Sequence, residues 1–313
     1  MSRPIVILFP GQGSQYVGMG TELGDNNCID SINNTLGYDL KSIMLNGPIE
    51  DLTQTSNTQP AIVAYSIALW QKLKLILDEK KISPYAILGH SVGEYSALVA
   101  CNSLSFNDAI KAVHFRGKYM QEAVPSGLGT MYAILKVPEE IVKKACLESS
   151  NKDSVVSPAN FNEPNQIVIS GHKEACEKAV TYLNDNYENP FRAIELKVSA
   201  PFHCSLMNEA TLKMKKLLDE TNIKTNTLNY IANIDAKTYP ANTEVLTIKN
   251  NLINQIEGSV LWTQSIQNLP KDSLLIEVGP GKVLSGLVRK INRDLEVINL
   301  NKSENFDLIM EKL

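Results

Sequence analysis

The pentapeptide Gly89-His90-Ser91-Val92-Gly93 reads G-x-S-x-G between an apolar run, Tyr85 to Leu88, and a helix-like run from Glu94 to Cys101. Strand, sharp turn and helix in that order are what a nucleophile elbow requires, and they direct the chain toward an α/β fold. A serine hydroxyl is a poor nucleophile, so it must project from a tight turn where a base can reach it. Glycines on either side let the backbone turn and leave room for a substrate. A Gly-flanked serine between strand and helix is also the pattern of an ordinary loop. The surrounding sequence has to decide between the two.

Ile5-Val6-Ile7-Leu8-Phe9 is a short continuous apolar run ending in Pro-Gly, which suits a buried parallel strand. Helical patterns follow, the longest from Ala61 to Leu77, before the strand that carries the elbow. Further helices are expected near Ala97–Cys101 and Asn107–Glu122, and Val124-Pro125-Ser126-Gly127 then breaks the pattern. The next section changes rhythm. Strands are expected at Thr130–Leu135, Ser154–Asn160, Gln166–Ser170 and Phe191–Val198, with helices at Pro138–Leu147 and Lys173–Leu183. That order, β-α-β-β-α-β, is the split βαβ of a ferredoxin-like unit. Residues 128–197 therefore read as a small subdomain inserted into a larger α/β domain formed by 1–127 and 198–313. The larger domain resumes with a helix beginning near Cys204 and an irregular stretch from Thr221 to Thr243. Helices near Val245–Glu257, Thr263–Asn268 and Val283–Ile291 alternate with strands at Leu274–Val278 and Leu295–Ile298.

The net charge of −4 over 313 residues, with no dense basic run, argues against a nucleic-acid surface. No segment is expected to span a bilayer, because the most apolar helix, Ala61 to Leu77, is interrupted by Gln71, Lys72 and Lys74. The chain enters a strand almost at once, so no signal peptide is expected and a cytoplasmic location follows. An organelle stays open if a presequence has been removed. The five cysteines (28, 101, 146, 176 and 204) are scattered, odd in number and without metal-like spacing, which points to free thiols in a reduced interior. Cys204 adjoins His203 but lies in no elbow, so it is not read as a nucleophile.

Ser91 needs a base, and the chain offers four histidines. His90 is inside the elbow, where a side chain next to the nucleophile normally points away from it. His114 lies within a helical run and reads as a packing or surface residue. His172 follows Ser170-Gly171 at a helix start, where a capping or solvated role is expected. His203 ends Ser199-Ala200-Pro201-Phe202-His203, a stiff apolar approach suited to holding an imidazole.

The blocks FPGQGSQ (9–15), GHSVGEYSALVA (89–100), RGKYMQEAVP (116–125) and APFHCSLM (200–207) resemble the malonyl-CoA:acyl-carrier-protein transacylases of fatty-acid synthesis. SPANFN (157–162), QIVISG (166–171) and EVGPGKVLSGL (277–287) match as well, in the family's order and over nearly the whole chain. The resemblance implies an α/β-hydrolase-like large domain with a parallel sheet and an inserted ferredoxin-like small subdomain. It also implies a ping-pong reaction. Malonyl-CoA acylates Ser91, and the phosphopantetheine thiol of an acyl carrier protein takes the malonyl group, with no metal or prosthetic group and the enzyme a monomer. His203 is then the general base and later the general acid, its ring held by a backbone carbonyl at the position matching Gln255. The amides of Gln12 and Val92 form the oxyanion hole, and Gly11 and Gly13 let that loop approach. Many members carry leucine where this chain has Val92, which leaves a backbone donor unaffected.

Arg116 matches the arginine that pairs bidentately with the free malonyl carboxylate, a geometry lysine cannot reproduce. Phe202 resembles the malonyl-selecting members, and Asn160 and Asn162 lie where the family lines its cleft, although a turn-forming role fits them nearly as well. An acyl hydrolase on the same scaffold would be expected to lack Arg116. A catalytically silent carrier-binding module would have lost the nucleophile or the base. A stand-alone acyltransferase serving a polyketide synthase is not separated from one serving fatty-acid synthesis. Gly279-Pro280-Gly281-Lys282 lacks the spacing of a phosphate loop and reads as a structural turn.

Overall fold

Every residue of Ile5–Phe9 is buried, as a strand covered by helices on both faces must be. A computed structural model describes residues 3–24 and 26–313. The chain opens with β1 (Ile5–Phe9), α1 (Asn27–Leu36), α2 (Leu40–Asn46), α3 (Ile49–Thr53), α4 (Thr55–Glu79), β2 (Ala86–Gly89), α5 (Gly93–Ala100) and α6 (Phe106–Glu122). Next come β3 (Gly129–Leu135), α7 (Glu139–Ser149), β4 (Val156–Glu163), β5 (Gln166–His172), α8 (Lys173–Asn186) and β6 (Arg192–Glu195). The last section holds α9 (Asn208–Glu220), β7 (Tyr230–Ile231), β8 (Thr238–Tyr239), α10 (Val245–Glu257), α11 (Trp262–Gln267), β9 (Leu274–Val278), α12 (Val283–Ile291), β10 (Glu296–Leu300) and α13 (Phe306–Lys312).

The strands form two sheets. The larger has the order β10-β9-β1-β2-β7-β8 and is parallel from β10 to β7, with β8 added antiparallel. The smaller, β4-β5-β3-β6, is antiparallel and has the ferredoxin-like strand order expected of a β-α-β-β-α-β segment. The fold is thus α/β, a parallel-sheet domain carrying a ferredoxin-like unit. One bridge ties the two together: Phe161 N–H donates to Val260 O (2.9 Å) and Val260 N–H to Ala159 O (2.8 Å). It fixes β4 beside the segment that follows α10.

The central helix α4 extends over Thr55–Glu79, beyond the apolar stretch that marked it in sequence. By length and hydropathy it could cross a membrane, yet 72% of that apolar window is buried inside the fold. Pro60 lies within it and cannot donate to the carbonyl of Ser56. His114 Nδ1–H takes that place at 3.0 Å, so this half-buried histidine packs α6 onto α4. At Gly117 an added Cβ would meet Thr55 O at 2.5 Å. The two helices therefore touch backbone to backbone beside Arg116.

Three expectations need correction. The stretch 221–243 is not wholly irregular, because β7 and β8 lie within it; two-residue strands are too short to show an alternating pattern. The helix after His203 begins as a single 3₁₀ turn at Ser205–Met207 before α9 proper. His172 precedes α8 but makes no capping bond, and its Nδ1 instead accepts the Val155 amide at 3.0 Å.

Candidate active site

Ser91 follows β2 on a left-handed backbone, φ 51°, and α5 starts two residues later. The turn is that tight because its glycines are bare. A Cβ on Gly89 would sit 2.0 Å from the backbone of Gly93, and one on Gly93 would sit 2.2 Å from Phe9 O. Asn233, just past β7, clamps the elbow from the far side. Its Oδ1 accepts the Ser91 amide (2.7 Å) and its Nδ2 donates to Gly89 O (2.7 Å). Ser91's own N–H is thereby occupied. Among the described residues, the amides of Gln12 and Val92 have no protein acceptor. Gly11 lets the first of these approach, since a Cβ there would meet His90 O at 2.6 Å.

His203 is buried and also left-handed, φ 59°. Its Nδ1 lies 2.8 Å from Gln255 O and 3.2 Å from Gly258 O. Both are carbonyls, so Nδ1 carries the proton and Nε2 of the neutral ring is an acceptor. Ser91 Oγ–H donates to that Nε2 at 2.8 Å. Burial first, and the Arg116 charge second, push the imidazole down to about 3 from its ordinary 6.5, so it is neutral across the physiological range. A hydroxyl donating to a neutral imidazole that a carbonyl orients is what a nucleophile and its base need, without a triad acid.

Arg116 reaches the same oxygen from α6. Its Nη2 donates to Ser91 Oγ (3.1 Å) and to Gln255 Oε1 (2.9 Å), and its Nη1 donates to Gln59 Oε1 (3.0 Å). The side chain is 1% exposed and lies beneath the cleft floor, with the centroid of the Tyr95 ring 5.9 Å from the guanidinium carbon. None of these acceptors is a carboxylate, and among the described residues Nε–H has no partner.

The cleft above Ser91 has a volume of about 180 Å³ and is lined in part by Gln12, Asn160, Asn162, Phe202 and His203. Met131, Val168, Leu196 and Val198 give it an apolar wall. All nine sequence-derived positions are thus assembled around one serine, with Val92, Arg116 and Gln255 immediately behind the lining. His90 makes no hydrogen bond to Ser91 Oγ, yet it has a place in the site. It lines the cleft beside Ser91, rests on Trp262 with ring centroids 5.4 Å apart, and meets Asn162 Oδ1 through Nε2 at 2.8 Å. Asn162 is accordingly a cleft residue and not a turn former.

Gln59, Glu94 and Asn233 were not anticipated. Glu94 had a readable signal, as the only charged residue in the α5 sequence GEYSALVA. Cys204 is buried, with its thiol on Pro201 O, and burial pushes it up, so it is no competing nucleophile. The glycine turn at 279–282 holds no phosphate site of its own. The buried Glu277 already occupies the N-terminus of α12, accepting from Leu284 N, Ser285 N and Ser285 Oγ.

The acyl transferase domain family matches residues 6–298. The malonyl CoA-acyl carrier protein transacylase of Bacillus subtilis is 42% identical over 316 residues, covering 99% of this chain and 97% of that one. Among solved structures, an acyl carrier protein S-malonyltransferase from Vibrio cholerae superposes with a TM-score of 0.88 at 40% identity, covering 97% and 99% of the two chains. A malonyl-transacylase solved in complex with a type II PKS acyl-carrier protein gives 0.90 at 36% identity, covering 99% and 100%. Such identity, sustained over almost the full length of both partners, means that this protein belongs to the malonyl CoA-acyl carrier protein transacylases of the acyl transferase family.

Proposed function

We propose that the protein transfers the malonyl group of malonyl-CoA to the phosphopantetheine thiol of an acyl carrier protein, supplying fatty-acid synthesis through a ping-pong mechanism. The observation that carries this reading is the position of Ser91 Oγ, in contact at once with His203 Nε2 and Arg116 Nη2. His203 takes the hydroxyl proton as Oγ attacks the thioester carbonyl. The amides of Gln12 and Val92 receive the oxyanion, and the imidazolium protonates the departing coenzyme A sulfur. In the second half the carrier thiol gives its proton to His203 and attacks the seryl ester, and the imidazolium returns that proton to the departing Ser91 Oγ.

Arg116 selects the acyl group. A carboxylate entering the cleft loses water, and a guanidinium restores two parallel hydrogen bonds. Phe202, Asn160 and Asn162 frame the acyl chain. The segment 128–197 is read as a subdomain that closes over the elbow between 1–127 and 198–313, and the apolar wall contributed by Met131 and Val168 supports this, since it shields the ester from water. We further infer a monomer working in the cytoplasm, away from membranes and nucleic acid. The packing of α4 inside the fold and the net charge of −4 support that reading.

The test is direct. Incubation with malonyl-CoA should add one malonyl group, mapped by peptide mass to Ser91, stable for minutes alone and discharged by holo acyl carrier protein. Rapid release of free malonate, unaffected by carrier protein, would identify a hydrolase.

A further inference from the structure

Glu94 lies in the first turn of α5, where the helix dipole favours a carboxylate, but it is wholly buried, which disfavours its charge. Its Oε2 accepts from Asn233 N (3.1 Å) and from Gln255 Nε2 (2.6 Å), while Oε1 has no partner among the described residues. Those two partners hold the rest of the site. Asn233 clamps Gly89 and Ser91, whereas Gln255 donates from Nε2 to Ser91 O (2.9 Å), accepts from Arg116 through Oε1 and accepts from His203 through its backbone carbonyl. The orientation of the Gln255 amide is forced. Ionised Glu94 and the Ser91 carbonyl only accept, so they must face the NH₂; Arg116 only donates, so it must face the oxygen.

Arg116 meanwhile carries its charge without touching any carboxylate among the described residues. A buried guanidinium needs an anion close by, yet a direct ion pair would use up the fork that a substrate carboxylate must enter. We propose that Glu94 is the remote counter-charge of Arg116, a positioning residue that balances the guanidinium through Gln255 without taking any of its donors, so that Nε–H stays unpartnered and the Nη groups bear only neutral acceptors that a substrate carboxylate can displace. This rests on the reading of Arg116 as the carboxylate binder.

One consequence is proton linkage. With substrate bound, two carboxylates share a single cation, and their repulsion is relieved when Glu94 takes up a proton. Burial already raises Glu94 to about 7, opposed by its bonds to Asn233 and Gln255 and by the Arg116 charge. The other groups facing it are Tyr95 on its own helix, Tyr230 on β7, Tyr239 on β8 and Asp235 between those strands. The buried part of α4, 55–70, and the strands β1 and β2 contain no charged residue. Binding of a carboxylate raises Glu94 further, so affinity is greatest while Glu94 is protonated and declines as pH rises above about 7.

The experiment compares kcat/KM for malonyl-CoA and acetyl-CoA across pH, since the ratio cancels the shared titration of His203 and the coenzyme A phosphates. In the native protein the ratio should fall by roughly 3- to 30-fold from about pH 6 to about pH 8.5, as for one repulsive charge in a partly screened interior. In Glu94→Gln, which keeps the shape and an acceptor oxygen, the ratio should be flat. Calorimetry on Ser91→Ala gives a second reading that does not depend on the Glu94 variant folding. Near pH 7.5, malonyl-CoA should take up a fraction of a proton that acetyl-CoA does not, measured in two buffers of different ionisation enthalpy. A ratio independent of pH in the native protein, the same slope in Glu94→Gln, or no difference in proton uptake overturns the proposal. A native protein that accepts no malonyl group overturns it together with the function on which it rests, whereas labelling without any Glu94 effect overturns it alone.

Discussion

Ser91 and His203 meet with Oγ and Nε2 2.8 Å apart, and each holds a left-handed backbone, φ 51° and 59°. Non-glycine residues seldom adopt that region, and such strain persists only where the surroundings over-determine it. Here the surroundings are specific: Asn233 on one side of the serine, the carbonyls of Gln255 and Gly258 on the histidine. The Ser91–His203 pair is thus positioned by the backbone as much as by side-chain packing.

Removing either member should expose that dependence. Ser91→Ala should abolish the malonyl adduct, and His203→Ala should slow acylation by about 10³-fold or more, as expected of a nucleophile and base acting as a unit. Intact mass and single-turnover rates check both. A full-strength adduct in the Ser91→Ala protein would locate the nucleophile elsewhere.

Arg116→Ala should reduce kcat/KM for malonyl-CoA far more than for acetyl-CoA, by about 2–5 kcal/mol of discrimination for a buried charged pair. Arg116→Lys should recover only part of it, because an ammonium cannot make the fork. Equal losses on both thioesters would reduce Arg116 to a structural role.

Gly117→Ala should act on the same arginine from a distance. The added Cβ meets Thr55 O at 2.5 Å, so α6 must move away from α4. Overpacking of this kind costs about 1–3 kcal/mol, read as a lower denaturation midpoint. Malonyl selectivity should fall with it, since Gln59 and Arg116 sit on the two separated helices. A variant of native stability and selectivity would show that the contact is slack.

Two buried groups make opposed contributions to the pH profile. His203 is depressed from 6.5 to about 3, so the unfolded chain binds the proton first; its stabilisation is complete above 6.5 and is lost as pH falls toward 3. Glu94 is raised from 4.5 to about 7, so its contribution is complete below 4.5 and is lost as pH rises through 7. Between about 4.5 and 6.5 they oppose each other. In Glu94→Gln the melting temperature should therefore climb more steeply with pH through that window than in the native protein. The neutral His203 should also let a neutral sulfonyl fluoride modify Ser91 with an acid midpoint well below 6.5.

Local pattern determined most of the framework. The apolar run at Ile5–Phe9, the glycines of the elbow and the β-α-β-β-α-β rhythm from Thr130 to Val198 each reflect burial on a period that a few adjacent residues reveal. The candidate site residues were legible in another way: Ser91 from its turn, His203 and Arg116 from sequence blocks shared with a family, and Gln255 only as the position matching that family's orienting carbonyl. Tertiary structure alone decided how these residues are held. Glu94, Gln59 and Asn233 are buried polar groups that each have a partner 57 to 161 positions away along the chain. The role of His90 was out of reach for the same reason, because its partner Asn162 belongs to the other sheet, 72 positions on. A hydrophobic pattern reports which face of an element is covered. It carries no record of which buried donor meets which acceptor, and that pairing arises only when distant elements close on one another.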